Sequence, residues 1–155
     1  MKIFKIYAIV ASLIVLMTAC GDDPKPINTP VPNKELGNIE FDWKLVSVNG
    51  IEPEFTVYMS FEAGLFTIYQ QIYTWDYICY EGEYDIDGNK LSGMYWDGDL
   101  WKCSYEGEVS QDGSTLTLVS REDNPITSVY ELCDIPQEII DEATTRSAVE
   151  FDYHL

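Results

Sequence analysis

Apolar and polar residues alternate along most of the chain between positions 41 and 133, which is the pattern of half-buried β-strands. Eight such runs follow one another, and each of the first seven ends in a turn signal. The runs are FDWKLVSV, FTVYMSF, LFTIYQQIY, DYICYEGEYDI, NKLSGMYW, LWKCSYEGEVS, STLTLVS and ITSVYELC. Four of the turn signals are Asn-Gly or Asp-Gly, which favour hairpins because the central residues of the turn adopt positive φ. The pattern therefore predicts eight strands joined mostly by tight turns.

The order of the runs also predicts how the strands pair. No helical segment interrupts them, so consecutive strands must lie antiparallel and side by side. Eight strands bury one face most simply by closing into a barrel, which also removes exposed sheet edges. We therefore predict an all-β domain over residues 39–133, an eight-stranded antiparallel up-and-down barrel. A β-sandwich is the alternative.

The period of two assigns one face of each strand to the interior. Glu81, Glu83 and Asp85 then lie on the outer face. The predicted inward residues from the fourth run onward are Gly82, Tyr84, Ile86, Leu91, Gly93, Tyr95, Trp101, Cys103, Tyr105, Gly107, Val109, Leu116, Leu118, Ile126, Tyr130 and Leu132.

The segment after Cys133 reads DIPQEIIDEATTRS and predicts a short helix. Asp134 is placed to cap it, Pro136 suits the first turn, and Glu138 favours the positive end of the helix. Ile139, Ile140 and Ala143 would then lie against the barrel. Residues 134–155 are thus predicted as a short helix followed by a tail, with Ala148 to Leu155 as a loose tail or an extra edge strand.

The N-terminus has a different pattern. Lys2 and Lys5 precede an apolar run from Ile6 to Met17, and small residues follow before Cys20. A basic start, a short apolar run and small residues are the parts of a secretory signal, and the run is shorter than the roughly 20 apolar residues of a spanning helix. The motif LMTAC resembles a bacterial lipobox. The resemblance implies a signal peptide over residues 1–19 and a diacylglycerol on the sulfur of Cys20.

Residues 20–38 contain four prolines within nine positions, from Pro24 to Pro32. Such a segment favours an extended tether that holds a domain away from a membrane. Two or three acyl chains on Cys20 would anchor the protein stably. Asp22 and Asp23 resemble the signal with which Bacteroides-like bacteria export lipoproteins to the cell surface. The implied location is the outer membrane, with the domain facing the cell surface.

Three segments of the predicted barrel also resemble a known family. DWKLVSVNG, EGEYDIDGNKLSGMYWDG and QDGSTLTLVS resemble the lipocalin-like lipoproteins of Bacteroides-type bacteria, and the similarity covers most of residues 40 to 133. The resemblance implies a lipocalin-like barrel. It implies little about a ligand, because most members of that family have no known ligand.

Charge and residue types exclude several functions. The net charge of −18 repels phosphate backbones, so nucleic acid is not a partner. Cys79, Cys103 and Cys133 are too widely spaced for a zinc site, and the one histidine, His154, is next to the terminus. One disulfide at most can join these three cysteines, and the spacing does not choose the pair.

Acidic residues do not form a recognisable catalytic or metal-binding set either. A calcium loop starting at Asp85 would need a glutamate at its twelfth position, where Trp96 stands, so a hairpin is predicted there. Glu81/Glu83 and Asp97/Asp99 fall on a solvated face and a turn, not in the cleft that a glycosidase requires. We therefore predict a protein that is not an enzyme and that uses no cofactor and no metal.

The aromatic content is the remaining functional signal, with eleven Tyr, six Phe and four Trp. An eight-stranded barrel holds either side chains alone or one small ligand, and so many large rings favour a filled core. A ligand, which could be apolar, aromatic or a sugar, would bind at the barrel mouth. The candidate binding residues are Trp43, Tyr84, Tyr95, Trp101, Tyr105 and Tyr130. The alternative function is a protein interaction module or inhibitor that meets a basic partner through its acidic outer face.

Overall fold

The computed structural model describes residues 35–72 and 75–145. The predicted signal segment, Cys20, most of the tether and residues 148–155 lie outside these ranges, so the statements about them remain predictions. Among the described residues, no helix has the length and apolar character needed to cross a membrane.

The described residues form nine strands and one helix. They are β1 (Asp42–Val48), β2 (Thr56–Glu62), β3 (Leu65–Gln71), β4 (Ile78–Asp87), β5 (Lys90–Tyr95), β6 (Tyr105–Val109), β7 (Thr115–Ser120), β8 (Thr127–Leu132), α1 (Gln137–Glu142) and β9 (Thr144–Thr145). Each of the first eight strands pairs antiparallel with its sequence neighbours, and β1 pairs with β8 to close the barrel. The prediction of an eight-stranded up-and-down barrel is confirmed, and the sandwich alternative is excluded.

Tight turns join several strands where the sequence predicts them. The β1–β2 turn has positive φ at both Asn49 and Gly50, the conformation that Asn-Gly favours. Ala63 and Gly64 adopt the same conformation between β2 and β3. Gly88, also at positive φ, opens the two-residue connection between β4 and β5. The segment around Asp87 is therefore the predicted hairpin.

The predicted inward face is confirmed for the centres of the strands. Leu91, Tyr95, Leu116, Leu118 and Tyr130 are buried in one continuous core. The prediction is wrong for three residues at strand ends, which have the right alternation but lie beyond the packed interior and are exposed: Ile86, Ile126 and Leu132.

One end of the barrel, which we call the closed end, is sealed by residues 36–41 together with the β2–β3, β4–β5 and β6–β7 turns. Leu36 donates its backbone N–H to the Gly88 carbonyl at 3.0 Å and accepts from Val109 N–H at 3.1 Å. Leu36 and Ile39 are each 1% exposed. Gly107 makes room for the Leu36 side chain, because a Cβ at that position would overlap it. The core thus includes Leu36, a residue within the segment that the sequence assigns to the tether.

The opposite end, which we call the loop end, carries the β1–β2, β3–β4, β5–β6 and β7–β8 connections. The pairing of β5 with β6 covers two positions, whereas β6 and β7 pair at five. The alternation predicts a sixth strand from Leu100, but β6 begins at Tyr105. Residues 96–104 instead form a loop. Trp101 holds this loop to β5, because its backbone N–H donates to the Gly93 carbonyl at 3.0 Å.

Helix α1 covers part of the outer face near β2 and β4. It begins after Pro136, which is the N-cap residue without a side-chain cap, so the prediction that Asp134 caps the helix is wrong. Ile139 is buried with Tyr58 and Ile135, as predicted. Ile140 is 41% exposed, contrary to prediction, because a helix of six residues presents one narrow side to the barrel.

Candidate ligand site in the barrel interior

Four of the six candidate binding residues come together in the barrel interior, with Tyr95 and Tyr105 at the ends of their strands nearer the loop end and Tyr130 in the middle of β8. Tyr95 and Trp101 both pack edge-on against Phe66, with ring centroids 5.4 Å and 5.0 Å away. Trp101 also contacts Tyr105, at 6.0 Å between centroids. Tyr130 projects into the same interior from the middle of β8, between its sheet partners Leu116 on β7 and Leu45 on β1. We call Tyr95, Trp101, Tyr105 and Tyr130 the aromatic cluster.

The other two candidates lie at the closed end. Trp43 is fully buried and donates its indole N–H to the Ile39 carbonyl at 2.9 Å. Tyr84 is half-buried, packs edge-on against Phe61, and directs its hydroxyl toward Glu40 Oε1 at 3.4 Å. The structure therefore separates these two residues from the aromatic cluster.

Trp101 enters the interior from the loop between β5 and β6. Its indole lies against Gly93, where any Cβ would overlap the ring. The side chain is 5% exposed, and its indole N–H has no hydrogen-bond acceptor among the described residues. A buried donor without a partner costs about 1–3 kcal/mol, so this N–H is a position where an acceptor would be favourable.

Two tyrosine hydroxyls, those of Tyr105 and Tyr130, are buried in the same interior as this indole N–H. Burial raises the pKa of Tyr130, an effect that the nearby Ser128 side chain partly offsets. Within the described ranges, the Tyr130 hydroxyl has no hydrogen-bond partner apart from the Ser128 side chain. Burial, followed by the Cys103 side chain, also raises the pKa of Tyr105. Both phenols therefore remain protonated at neutral pH and can donate hydrogen bonds.

The sequence reasoning missed three polar residues that are buried in the same half of the interior. Gln70, Ser120 and Ser128 are each 5% exposed or less. Ser120 is held in place because its Oγ accepts the Ile126 backbone N–H at 2.8 Å. The period of two could have identified all three, because Gln70 follows Ile68, Ser120 follows Leu118, and Ser128 precedes Tyr130 on their inward faces.

The interior is therefore divided into two chemically different halves. The closed-end half is lined by apolar side chains such as Leu36, Ile39, Met59 and Phe61. The half nearer the loop end combines aromatic rings with hydroxyls, an amide and an indole N–H. Mostly apolar walls with a few convergent polar groups are typical of small-molecule sites.

Other reactive groups do not form a second site in the described part of the chain. No group of three or more His, Cys, Asp or Glu residues there is arranged to hold a metal ion. Cys79, Cys103 and Cys133 are all free thiols. Burial raises the pKa of Cys79 to about 12 and that of Cys133 to about 11, so both thiols are protonated at neutral pH and weakly reactive.

Cys79 alternates with the inward Ile78 and Tyr80 and so lies on the outer face of β4, but it is covered. It pairs with Thr145 of β9, which runs parallel to the start of β4. Strand β9 covers Thr144–Thr145, and the prediction of a tail or edge strand for residues 148–155 lies outside the described residues.

Comparisons with known proteins identify no relative of this chain. No protein-family model matches the sequence, and neither a curated protein nor a solved structure matches it. Function must therefore be argued from the residues of the site, because a barrel of this kind hosts many unrelated activities.

Proposed function

We propose that this protein is a non-enzymatic lipoprotein, anchored in the outer membrane through Cys20, whose barrel binds one small ligand in the half of the interior nearer the loop end. The observation that carries the ligand proposal is a pair of buried donors: Trp101 Nε1, which has no hydrogen-bond acceptor among the described residues, and the Tyr130 hydroxyl, which has only the Ser128 side chain near it in the described ranges. A ligand with an acceptor atom would satisfy them. The aromatic rings around them supply apolar walls.

The chemistry of the site narrows the ligand class. Both groups are donors, so the ligand carries a carbonyl, ether or hydroxyl oxygen. The net charge of −18 disfavours an anion. The surrounding rings favour a flat and mostly apolar molecule over a strongly hydrated one. We therefore favour a small, neutral aromatic compound with an oxygen acceptor, ahead of a sugar or a long-chain lipid.

Entry of the ligand requires Trp101 to move, because its indole occupies the space beside Gly93. The loop that carries Trp101 lies next to the shortest strand pairing of the barrel, between β5 and β6. Opening there breaks fewer backbone hydrogen bonds than opening between any longer-paired strands. Trp101 would thus shift to admit the ligand and then donate its indole N–H to the bound molecule.

A fluorescent naphthyl ketone, prodan, tests the ligand site, because it is neutral, flat and carries one carbonyl acceptor. Full-length protein in nonionic detergent is titrated with prodan, with empty micelles as the blank. We expect saturable energy transfer from tryptophan to prodan. Tyr130→Phe should weaken binding about threefold to tenfold, the effect of losing one hydrogen bond.

The matched control is Tyr58→Phe, which removes a hydroxyl from the outer face beneath α1. It should leave the affinity for prodan unchanged. The ligand proposal is rejected if saturable binding is absent, or if the two tyrosine variants lose affinity equally.

The anchor is tested separately in cells of a bacterium that processes lipoproteins. Replacing Cys20 with Ser should abolish labelling by a radioactive fatty acid and move the protein out of the membrane fraction. Retention of both the label and the membrane association would contradict lipidation at Cys20.

A further inference from the structure

The outer face of β4 carries a continuous row of acidic side chains. Glu81, Glu83, Asp85 and Asp87 alternate along the strand with the inward residues, and all four are exposed. Successive members are two residues apart, about 6.7 Å along an extended strand. None of the four forms a salt bridge with another residue in the described ranges. Lys90 on β5 is the direct sheet partner of Asp87, so the negative charge without a neighbouring cation in the sheet is that of Glu81, Glu83 and Asp85.

Exposed apolar side chains flank the acidic row. Glu83 lies between Leu65 on β3 and Met94 on β5, its direct partners in the sheet. Leu100 bridges to Met94 and is 72% exposed. Trp96 is exposed beside Glu81, whose carbonyl accepts its backbone N–H at 3.1 Å. Large apolar side chains gathered on one surface are typical of an interaction site.

A shallow groove of about 350 Å³ lies between the acidic row and these apolar residues. Glu83 and Asp85 form one side of the groove, and Met94 and Leu100 form the other. A partner that fits it must place positive charge next to an apolar side chain, on the same side of its own backbone.

We propose that this face, formed by the outer sides of β3, β4 and β5 with the loop at Trp96–Leu100, docks a basic amphipathic helix of a protein partner. Residues four apart on a helix are about 6 Å apart along its axis, close to the spacing of the carboxylates. Lysines at that interval would lie over β4. Apolar residues in the adjacent helical stripe would enter the groove beside Met94 and Leu100.

An extended peptide fits this surface less well. In a strand the residues next to each lysine point to the opposite side, so apolar anchors could not reach the groove between the lysines. The closed barrel also offers no free edge along the centre of β4 to which a peptide strand could add, because β3 and β5 pair with it there. The strong negative charge of the protein would accelerate the approach of a basic partner and make binding sensitive to salt.

The test is a synthetic helical peptide with lysine at every fourth position, leucine immediately before each lysine and alanine elsewhere. Its binding to the full-length protein in nonionic detergent is followed by fluorescence anisotropy, with empty micelles as the blank. A peptide of the same composition in scrambled order serves as the charge control. We expect the ordered peptide to bind about tenfold more tightly than the scrambled one, since both charge and apolar contact must coincide.

Variants locate the binding surface. Glu83→Gln combined with Asp85→Asn should weaken binding about tenfold, and Leu100→Ser should weaken it about threefold to fivefold. The matched control, Glu52→Gln with Glu54→Gln, removes two exposed carboxylates between β1 and β2 and should change the affinity less than about twofold. The proposal is overturned if no peptide binds, if the scrambled peptide binds equally, or if the control pair causes the same loss as Glu83 and Asp85.

Discussion

The two halves of the barrel interior contain the same kinds of large side chain but differ in whether the buried polar atoms of these side chains have hydrogen-bond partners. At the closed end, Trp43 is fully buried and its indole N–H has a carbonyl acceptor in Ile39. Toward the loop end, Trp101 is nearly as buried, but its N–H has no acceptor among the described residues. One tryptophan therefore completes the core with its N–H satisfied, and the other is buried with its N–H unsatisfied.

The difference shows how one small barrel can be both stable and capable of binding. Packing and satisfied hydrogen bonds at the closed end stabilise the fold. A buried donor without an acceptor, such as the Trp101 indole N–H, lowers the stability of the fold. It lies where a bound ligand would supply the acceptor. Such local exceptions to polar satisfaction are a physical reason to locate function there.

The largest expected effect comes from truncating the two tryptophans. Trp43→Ala should lower the free energy of unfolding by about 3–5 kcal/mol, because it removes a fully packed ring. Trp101→Ala should cost less, about 2 kcal/mol, because the lost packing is partly offset by removing an unsatisfied buried donor. Urea unfolding of the full-length variants measures both values, and equal losses would contradict the proposed difference between the two halves.

A smaller effect is expected from two turns with the same backbone conformation, one at each end. Asn49 and Ala63 both have positive φ, a conformation that costs alanine more free energy than asparagine. The Asn49 side chain also accepts the Thr127 backbone N–H at 2.9 Å. Asn49→Ala should therefore destabilise the protein by about 1–2 kcal/mol, and Ala63→Asn should stabilise it by about 0.5–1 kcal/mol.

Thermal unfolding of the two single variants checks these signs. Ala63→Gly is a useful second variant, because glycine adopts the same φ without a side chain. If Asn49→Ala and Ala63→Asn shifted Tm in the same direction, backbone conformation would not be the factor that distinguishes these turns.

The smallest effect concerns acid stability at the closed end. Hydrogen bonds from the Ser110 hydroxyl and from the Ser114 backbone and hydroxyl lower the pKa of Asp112 to about 2. Because the pKa is depressed in the folded state, the stabilisation is present above the unfolded pKa of 3.8 and is lost as pH falls toward 2. The Tm difference between wild type and Asp112→Asn should therefore narrow between about pH 5 and pH 2. A difference that stayed constant would exclude this contribution of the ionised carboxylate.

Much of the fold follows from local sequence signals, and the strands and turns show why. Alternation identifies an inward face, and Asn49-Gly50 and Gly88 supply the backbone conformations that the turns require. The sealing of the closed end by Leu36 could not be predicted from the sequence, because a single apolar residue beside a proline-rich segment shows no alternation of apolar and polar positions. Its burial depends on Gly107, which is distant in sequence.

The candidate site was predictable in part, for a related reason. The period of two correctly sends Tyr95, Tyr105 and Tyr130 inward. It also predicts that Trp101 points inward, but as part of a regular strand. In the structure Trp101 lies in the loop before β6, and its indole packs over Gly93. That fit, and the separation of Trp43 and Tyr84 from the cluster, depend on the closed barrel and not on any local pattern.

Ligand binding beside Trp101 is tested most sharply by a two-dimensional NMR spectrum of the tryptophan indole N–H groups during titration with prodan. The two buried tryptophans report on the two halves of the interior, and single Trp→Phe variants assign their signals. If the ligand binds in the half nearer the loop end, the Trp101 signal shifts on saturation and the Trp43 signal stays in place. A shift of the Trp43 signal with the Trp101 signal unchanged, or no shift of either signal at saturation, would contradict ligand binding in this half of the interior.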